Sequence, residues 1–300
     1  MNGENQPLVS VVIPCYNHEN FVQDCIQSVI SQTYQNIELI IIDDGSKDNS
    51  ISKIEEMVEK CEKRFVRFEF RHRANKGLSA TLNEALEWCK GEYYSAIASD
   101  DILLEDKIEN QIQLFGDKNR ENIIAVLGNV YFINEKNERL ASSGIKENTI
   151  YNFDQIFMHQ HLLYAPTQLI KTKVIKEVGG YKPGMLIEDW YMWLKLSKIG
   201  NILVVPNLFV KYRQHDSNTV KQLEKMHRGR FEVLSYFKEE KLYKDALFKV
   251  HWINSMENLR FTSKNKFLVV MNLFFQSPIR FFKFFTEKVI EKNEKYLIFN

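Results

Sequence analysis

The chain has 300 residues, of which 44% are hydrophobic, so it can bury a large core and extended disorder is excluded. Its 40 basic and 39 acidic residues leave a net charge of +1, which excludes a strongly positive overall field that would attract nucleic acid. No nucleic-acid partner is expected. The four cysteines lack metal-ligand spacing, the first seven residues lack an apolar targeting core, and no apolar stretch reaches the roughly 20 residues of a membrane span. We therefore expect a reduced cytoplasmic protein.

The first half alternates short apolar runs with helical periodicity, which predicts βα units and a mostly parallel sheet flanked by helices. The predicted strands are 9–13, 37–42, 65–70, 93–98 and 123–133, and the predicted helices are 21–30, a helix from residue 48 or 50 to about 62, and 78–89. The polar stretch 134–148 predicts a hairpin or a loop.

The second half predicts a helix at 153–159, an apolar stretch at 167–170 and an aromatic helix at 188–199. A strand follows at 202–212, in which Pro206 predicts a sheet edge or a bulge. From residue 221 onward the pattern is helical and rich in Phe and Lys, so we predict a first domain over 1–220 and a helical C-terminal region over 221–300.

Paired aspartates follow two of the predicted strands. Asp43 and Asp44 end one apolar run, and Asp100 and Asp101 end another. The first pair alone fits ordinary turn chemistry. Carboxylates that converge at one sheet edge repel unless a cation neutralises them, so the two pairs together favour Mg²⁺ or Mn²⁺ bridging the protein to a diphosphate.

Two further loops carry polar or aromatic residues at strand ends. The turn with Tyr16 and Asn17 lacks the glycines of a dinucleotide-binding loop, and it is either a nucleobase site or an ordinary turn. Asn75 and Gly77 precede a helix, and a helix start favours anions, although a plain helix N-terminus explains them equally well.

Taken together, six short motifs resemble the inverting glycosyltransferases of family 2, over roughly residues 7–215. They are Val12–Asn17, Ile42–Ser46, Asn75–Ser79 with Asn83, Gly91–Tyr93 leading to Ser99–Asp101, Glu188–Trp190, and Tyr212–His215. The resemblance implies the GT-A fold, an α/β architecture with a mostly parallel central sheet. It implies a catalytic domain over 1–220, with a nucleotide-binding half at about 7–133 and an acceptor half at about 134–220.

The resemblance also implies roles for individual residues. The nucleotide-sugar would be bound by Pro14, Tyr16, Asn17, Asp43, Asp44, Asn75, Gly77, Asp100 and Arg213, with Asp44 accepting a hydrogen bond from uracil. The metal ion, Mn²⁺ or Mg²⁺, would be held by Asp101 and His215.

Inversion at an anomeric carbon needs a base for the acceptor hydroxyl. Asp189 is the implied base, and Glu188 is the fallback because sequence does not separate adjacent acids. Trp190 and Trp193 either flank the acceptor sugar or fill the core.

The expected reaction moves a hexose or N-acetylhexosamine from a UDP-sugar to a saccharide acceptor and forms a β linkage. From the family, the acceptor is expected to be linked to undecaprenyl diphosphate in O-antigen or capsule assembly. The C-terminal helices would contact the inner face of the cell membrane or form a homodimer. Alternatives are a non-catalytic sugar-nucleotide-binding or assembly protein, a nucleotidyltransferase and a glycoside hydrolase.

Overall fold

The computed structural model describes residues 6–116, 122–215, 222–261 and 266–286. The chain divides into two compact units. The first consists of Met1–Ile156 and His161–Asn218, and the second of Phe157–Gln160 and Thr219–Asn300.

The first unit is built on one mixed sheet, which confirms the predicted α/β fold class. Its strands are β1 (Val9–Cys15), β2 (Ile37–Asp43), β3 (Arg67–His72), β4 (Tyr93–Ala96), β5 (Ile102–Leu103), β6 (Ile123–Ile133), β7 (Arg139–Ser142), β8 (Thr149–Tyr151), β9 (Leu169–Lys171) and β10 (Asn201–Arg213). The strand order is β3-β2-β1-β4-β9-β6-β10-β5, with β7 paired to β6 and β8 paired to β10.

Six of these strands point the same way, and their carboxyl ends form one edge of the sheet. β3, β2, β1 and β4 are parallel neighbours, and β6 and β10 are parallel to each other. β9 lies antiparallel between β4 and β6, which keeps β6 in the direction of β4. The loops after β1, β2, β3, β4 and β10 therefore emerge at a common edge.

Helices cover the sheet. They are α1 (Val22–Ile30), α2 (Ser50–Glu55), α3 (Val58–Arg64), α4 (Leu78–Trp88), α5 (Lys107–Phe115), α6 (Phe153–Phe157), α7 (Thr172–Glu177) and α8 (Glu188–Ser197). On α1, Val22, Cys25, Ile26 and Val29 are fully buried, at the spacing of one helix face. All seven residues of β2 are buried, as expected for a strand covered on both faces.

The structure differs from the predicted elements at several places. The helix predicted from residue 48 or 50 to about 62 is two helices, with Met57 between them. β5 and α5 were not predicted, because a two-residue strand has no periodic signal and α5 begins at a buried lysine, Lys107. The third strand starts at Arg67, since Phe65 ends α3. The bulge predicted at Pro206 is confirmed by register shifts on both sides of it.

The second unit is helical. α9 (Leu223–Ser235), α10 (Tyr243–Phe261) and α11 (Lys266–Gln276) are followed by a helical stretch over 278–286. Arg230 on α9 donates two 2.7 Å hydrogen bonds to the carboxylate of Glu257 on α10, which ties these helices together. Within the described ranges, none of the helices is both long enough and apolar enough to cross a bilayer.

Candidate active site

Loops at the carboxyl edge of the sheet bring together two histidines and an aspartate. His18 follows β1, Asp100 follows β4 and His215 follows β10. One nitrogen of each imidazole and a carboxylate oxygen all lie within 4.8 Å of one another. Two nitrogen donors and one carboxylate in such proximity form a set that can bind a divalent transition-metal ion.

Hydrogen bonds and a ring contact hold this His–Asp–His cluster in place. His215 Nε2 lies 2.8 Å from Asp100 Oδ2, and the imidazole stacks on the ring of Phe21 at 5.7 Å. His18 Nδ1 shares a 2.7 Å hydrogen bond with Ser99 Oγ and lies 3.9 Å from Asp100 Oδ1. These contacts hold the three side chains close together.

The charges of the cluster favour an ionised aspartate beside neutral His18. Burial by itself would raise the pKa of Asp100, but the hydrogen bond from His215 and the proximity of His18 outweigh it and leave this pKa below its usual value. Burial lowers the pKa of His18. A neutral imidazole and a carboxylate are the forms that bind metal.

Asp101, the metal ligand expected from the resemblance, lies beside the cluster with one oxygen satisfied. Its Oδ1 accepts a 2.8 Å hydrogen bond from the backbone N–H of Arg213, while Oδ2 is buried and has no hydrogen-bond partner among the described residues. Burial and the adjacent Asp100 raise its pKa well above the usual value. A buried unsatisfied carboxylate oxygen costs free energy, which a cation or a donor group would offset.

Arg213 was expected to bind the donor, but its side chain is fully buried. Its Nε donates a 2.7 Å hydrogen bond to the carbonyl of Asp100, and one Nη donates to the carbonyls of Asn134 and Glu135 at 3.0 and 3.3 Å. Its guanidinium lies 4.6 Å from the ring centre of Phe21. In this conformation Arg213 is not accessible to a ligand, and it fixes the main chain of the second aspartate pair.

The first aspartate pair divides into a turn-forming residue and a loop-bridging residue. Both oxygens of fully buried Asp43 accept hydrogen bonds from Gly45 and Ser46, which closes the turn after β2. Asp44 accepts hydrogen bonds from Arg73 and from the backbone N–H groups of Lys76, at 2.8 Å, and Gly77, at 2.9 Å.

Asp44 retains capacity for one more hydrogen bond. Its Oδ1 accepts from two groups, but Oδ2 accepts only from Gly77 among the contacts described, and a carboxylate oxygen can accept two. The loop is also tight, because a Cβ at Gly45, whose φ is +77°, would lie 2.7 Å from the backbone nitrogen of Asn75. Asp44 is thus buried and held rigidly, with one acceptor position of Oδ2 unused by these contacts.

The remaining residues expected at the nucleotide lie on the same edge. Pro14 is half-buried near the end of β1, and Tyr16 and Asn75 are exposed. Asn17, at a φ of +54°, donates its backbone N–H to Ser46 Oγ at 2.9 Å, and its side-chain oxygen accepts from the N–H of Lys47 at 2.7 Å. Asn17 therefore joins the loops after β1 and β2 and leaves the neighbouring Tyr16 ring at the surface.

Glu188 and Asp189 form the first turn of α8. Burial and the neighbouring Asp189 raise the pKa of Glu188 to about 8, and burial raises the pKa of Asp189. Burial raises the pKa of the Tyr212 phenol, and Asp101, Asp189, Asp100 and Glu188, in that order, raise it further. Tyr212 therefore links this pair to Asp100 and Asp101. All four carboxyl groups therefore act on one phenol.

The two tryptophans of α8 belong to the core. Trp190 and Trp193 are both buried, and Trp190 Nε1 donates a 3.2 Å hydrogen bond to the carbonyl of Ile156. Core filling was one of the two interpretations of these residues, and it describes their position here. Asn83 positions the loop that leads to α8, because its side-chain amide exchanges two 2.7 Å hydrogen bonds with the backbone of Tyr181.

The sequence profile described as glycosyl transferase family 2 matches residues 10–179, more than half of the chain. The chain belongs to this family. An uncharacterized glycosyltransferase of Haemophilus influenzae is 32% identical over 225 residues, covering 72% of this chain and 68% of the relative. The predicted family and the transferase class are thereby confirmed.

Similarity to other relatives covers different shares of their length. An uncharacterized glycosyltransferase of Rickettsia felis is 29% identical over 72% of this chain, but the match covers only 36% of that relative. One from Methanocaldococcus jannaschii is 26% identical, covering 85% of this chain and 83% of the relative. The chain thus spans about a third of the first of these proteins and most of the second.

Solved structures of low sequence identity share the fold. Staphylococcus aureus TarS 1-349, solved in complex with UDP-GlcNAc, superposes with a TM-score of 0.64 at 16% identity, covering 87% of this chain and 75% of that one. Pyrobaculum calidifontis PcManGT, solved in complex with GDP-Man and Mn²⁺, gives 0.63 at 13% identity, covering 84% and 72%. The predicted GT-A fold is confirmed.

Two residues of this glycosyltransferase site were not expected from the sequence. His18 is the third member of the metal-competent cluster, and Arg73 is the partner of Asp44. A signal for His18 was present, since it directly follows the turn after the first strand and therefore lies at the same sheet edge as Asp100. The residues present fit a divalent cation: three donors converge, and the next residue in sequence, Asp101, has a buried unsatisfied oxygen.

Proposed function

We propose that the protein is a metal-dependent inverting glycosyltransferase that moves a hexose or N-acetylhexosamine from a UDP-sugar to a saccharide acceptor. The observation that carries the proposal is the His18–Asp100–His215 cluster, at the sheet edge that also presents Asp44. Family membership supports the reaction class. The complexes of TarS with UDP-GlcNAc and of PcManGT with GDP-Man support a nucleotide-sugar donor.

The cation would be held by His18, Asp100 and His215, with Asp101 Oδ2 as a further donor. Imidazole nitrogens suit transition metals, whereas Mg²⁺ prefers an all-oxygen shell. The donor set therefore favours Mn²⁺ over Mg²⁺, and the Mn²⁺ complex of PcManGT agrees with this preference. When bound, the cation would neutralise charge on the departing diphosphate.

The nucleotide would bind over the loops after β1, β2 and β3. The free acceptor site on Asp44 Oδ2 suits the N–H of a uracil ring, and the exposed ring of Tyr16 can stack on the base. Asn75 and Gly77 would lie against the nucleotide. Asp43 and Arg213, which are buried, would act by fixing the loops.

Asp189 would accept the proton of the acceptor hydroxyl as that oxygen attacks the anomeric carbon opposite the leaving diphosphate, giving a β linkage from an α donor. Burial raises the pKa of Asp189, which shifts it toward the working pH, where a base works best. Glu188 is the alternative base. We propose Asp189 because its backbone-capped carboxylate, which accepts a 2.6 Å hydrogen bond from the N–H of Trp190, is the more firmly oriented.

The acceptor proposed from the family is a lipid-diphosphate-linked saccharide of O-antigen or capsule assembly, at the inner face of the cell membrane. The test is to incubate the purified protein and Mn²⁺ with a panel of UDP-sugars and a GlcNAc-diphosphate-lipid, and to identify the product by mass and by NMR. We expect a single added sugar in β linkage. Reaction with another nucleotide-sugar but with no UDP-sugar would contradict the role of Asp44.

The base assignment has its own test. Asp189→Asn should lower the transfer rate by about 100-fold or more while UDP binding stays unchanged. The matched control is Asp154→Asn, an exposed aspartate in the first turn of α6, which should transfer at the wild-type rate. Near-normal transfer by Asp189→Asn would remove it as the base, and a large loss in Glu188→Gln alone would transfer the role to Glu188.

A further inference from the structure

The second unit carries an exposed aromatic patch. We use this name for Phe275, Ile279, Phe282 and Phe285, whose side chains are 72%, 84%, 58% and 50% exposed. Ring contacts make the surface continuous, because Phe274 touches Phe275 and Phe282 at 5.6 and 5.9 Å. A soluble surface rarely leaves so many large apolar side chains together, and such a patch marks an interaction site.

The same segment is anchored from its other side. Phe284 is buried and stacks on Phe248 of α10 at 5.7 Å, and Phe281 packs on Trp252 at 5.5 Å. Leu273 of α11 is also buried. The inward side chains thus already pack this segment within the second unit. The aromatic patch is additional apolar surface on the outside of these helices.

The charge around the patch is mainly positive, although Arg280 is paired with Asp245 of α10 at 2.6 Å. Residues 258–286 contain five basic residues and no aspartate or glutamate, in a chain whose net charge is +1. Lys283 lies on the exposed face of its helix, one turn after Ile279 and directly after Phe282. An apolar face flanked by net positive charge matches the boundary between acyl chains and anionic headgroups.

We infer that the aromatic patch binds the surface of a membrane that contains anionic lipids. A second copy of the chain is a poorer fit, because a two-fold contact would bring two cationic segments together. The inference deepens the proposed function, since it names the surface by which the enzyme would reach a lipid-linked acceptor. It predicts that these helices lie in the plane of the membrane–water interface, because the aromatic and basic side chains belong to short helices.

The test is flotation of the full chain with phosphatidylcholine vesicles, with and without phosphatidylglycerol. We expect binding to the vesicles with phosphatidylglycerol, and weaker binding at high salt. The variant Phe275→Ser/Ile279→Ser/Phe282→Ser should bind about tenfold more weakly or worse, because three apolar side chains no longer enter the interface.

A matched control places the same substitutions on exposed apolar residues of the first unit. These are Val66→Ser, Leu140→Ser and Ile150→Ser, at 62%, 58% and 51% exposure. The control should bind vesicles as the wild type does, and both variants should keep the wild-type circular dichroism spectrum and transfer sugar to a soluble acceptor at the wild-type rate. The vesicle assay contains no sugar nucleotide, so a negative result in it does not depend on whether the proposed reaction occurs.

Four outcomes would overturn the inference. The first is a wild-type chain that does not float with anionic vesicles, and the second is a patch variant that floats as well as the wild type. The third is a wild-type dimer, seen by light scattering, that the patch variant converts to a monomer, which would assign the patch to self-association. Flotation that appears only after removal of residues 287–300 would assign the patch to the chain's own C-terminus and also contradict the inference.

Discussion

Replacing Arg213 with lysine separates a buried positioning role from direct donor binding. The guanidinium donates to the carbonyls of Asp100, Asn134 and Glu135, and a single ammonium keeps the charge but cannot reach all three. Losing about two hydrogen bonds from a charged donor costs about 1.5–3 kcal/mol each. We therefore expect Arg213→Lys to lower the free energy of unfolding by about 3–6 kcal/mol, the sum over two such bonds.

The assay is urea unfolding followed by tryptophan fluorescence, without nucleotide, since Trp88, Trp190 and Trp193 lie in the first unit. The control is Arg139→Lys, an exposed arginine, which should change the free energy by less than about 0.5 kcal/mol. An Arg213→Lys protein as stable as the wild type but with weakened UDP binding would refute the reasoning and restore Arg213 to the donor site.

Three other predictions follow from the site. His18→Ala should weaken Mn²⁺ binding, measured by isothermal titration calorimetry, by about tenfold or more. The control is His72→Ala, which replaces an exposed histidine at the end of β3 and should leave Mn²⁺ binding unchanged. Equal Mn²⁺ affinities of the two variants would remove His18 from the cluster. Because burial and its acidic neighbour raise the pKa of Glu188 from 4.5 to about 8, its stabilising contribution is full below pH 4.5 and is lost as the pH rises through 8. The urea midpoint of Glu188→Gln should therefore rise relative to that of the wild type as the pH increases from 5 to 8. Urea midpoints that change in parallel with pH would contradict the burial of this carboxyl group. Asn83→Ala removes two 2.7 Å hydrogen bonds to the backbone of Tyr181 and should destabilise the protein by about 2 kcal/mol, whereas an unchanged urea midpoint would show that this loop is held by other contacts.

Hydrophobic runs made much of the sheet predictable. β1, β2 and β6 are mostly apolar, each with one buried polar residue inside the run, Ser10, Glu38 and Asn129. Polar residues directly after such runs indicated the carboxyl edge where the site lies. β5 and α5 were not predictable in this way. Lys107, which opens α5, is buried because its ammonium reaches Ser95 Oγ at 2.9 Å and the carbonyl of Gln168 at 3.3 Å, partners that only the fold supplies.

The identities of the site residues were easier to predict than their exposure. Arg213 and Trp193 carry side chains that often bind ligands, but tertiary packing buries both. The hairpin carbonyls that accept hydrogen bonds from Arg213 belong to Asn134 and Glu135, 79 and 78 positions away in sequence. His18 has no periodic signal because it lies in a loop, and its role depends on Asp100 and His215 meeting it in space.

The most direct test of this account is ³¹P NMR of UDP titrated with the protein carrying bound Mn²⁺. If the cluster of His18, Asp100 and His215 holds the cation that contacts the donor diphosphate, both phosphate resonances should broaden strongly, and His215→Ala should abolish the broadening. UDP that binds with the same affinity with and without Mn²⁺, and whose phosphate signals stay sharp, would contradict the central claim.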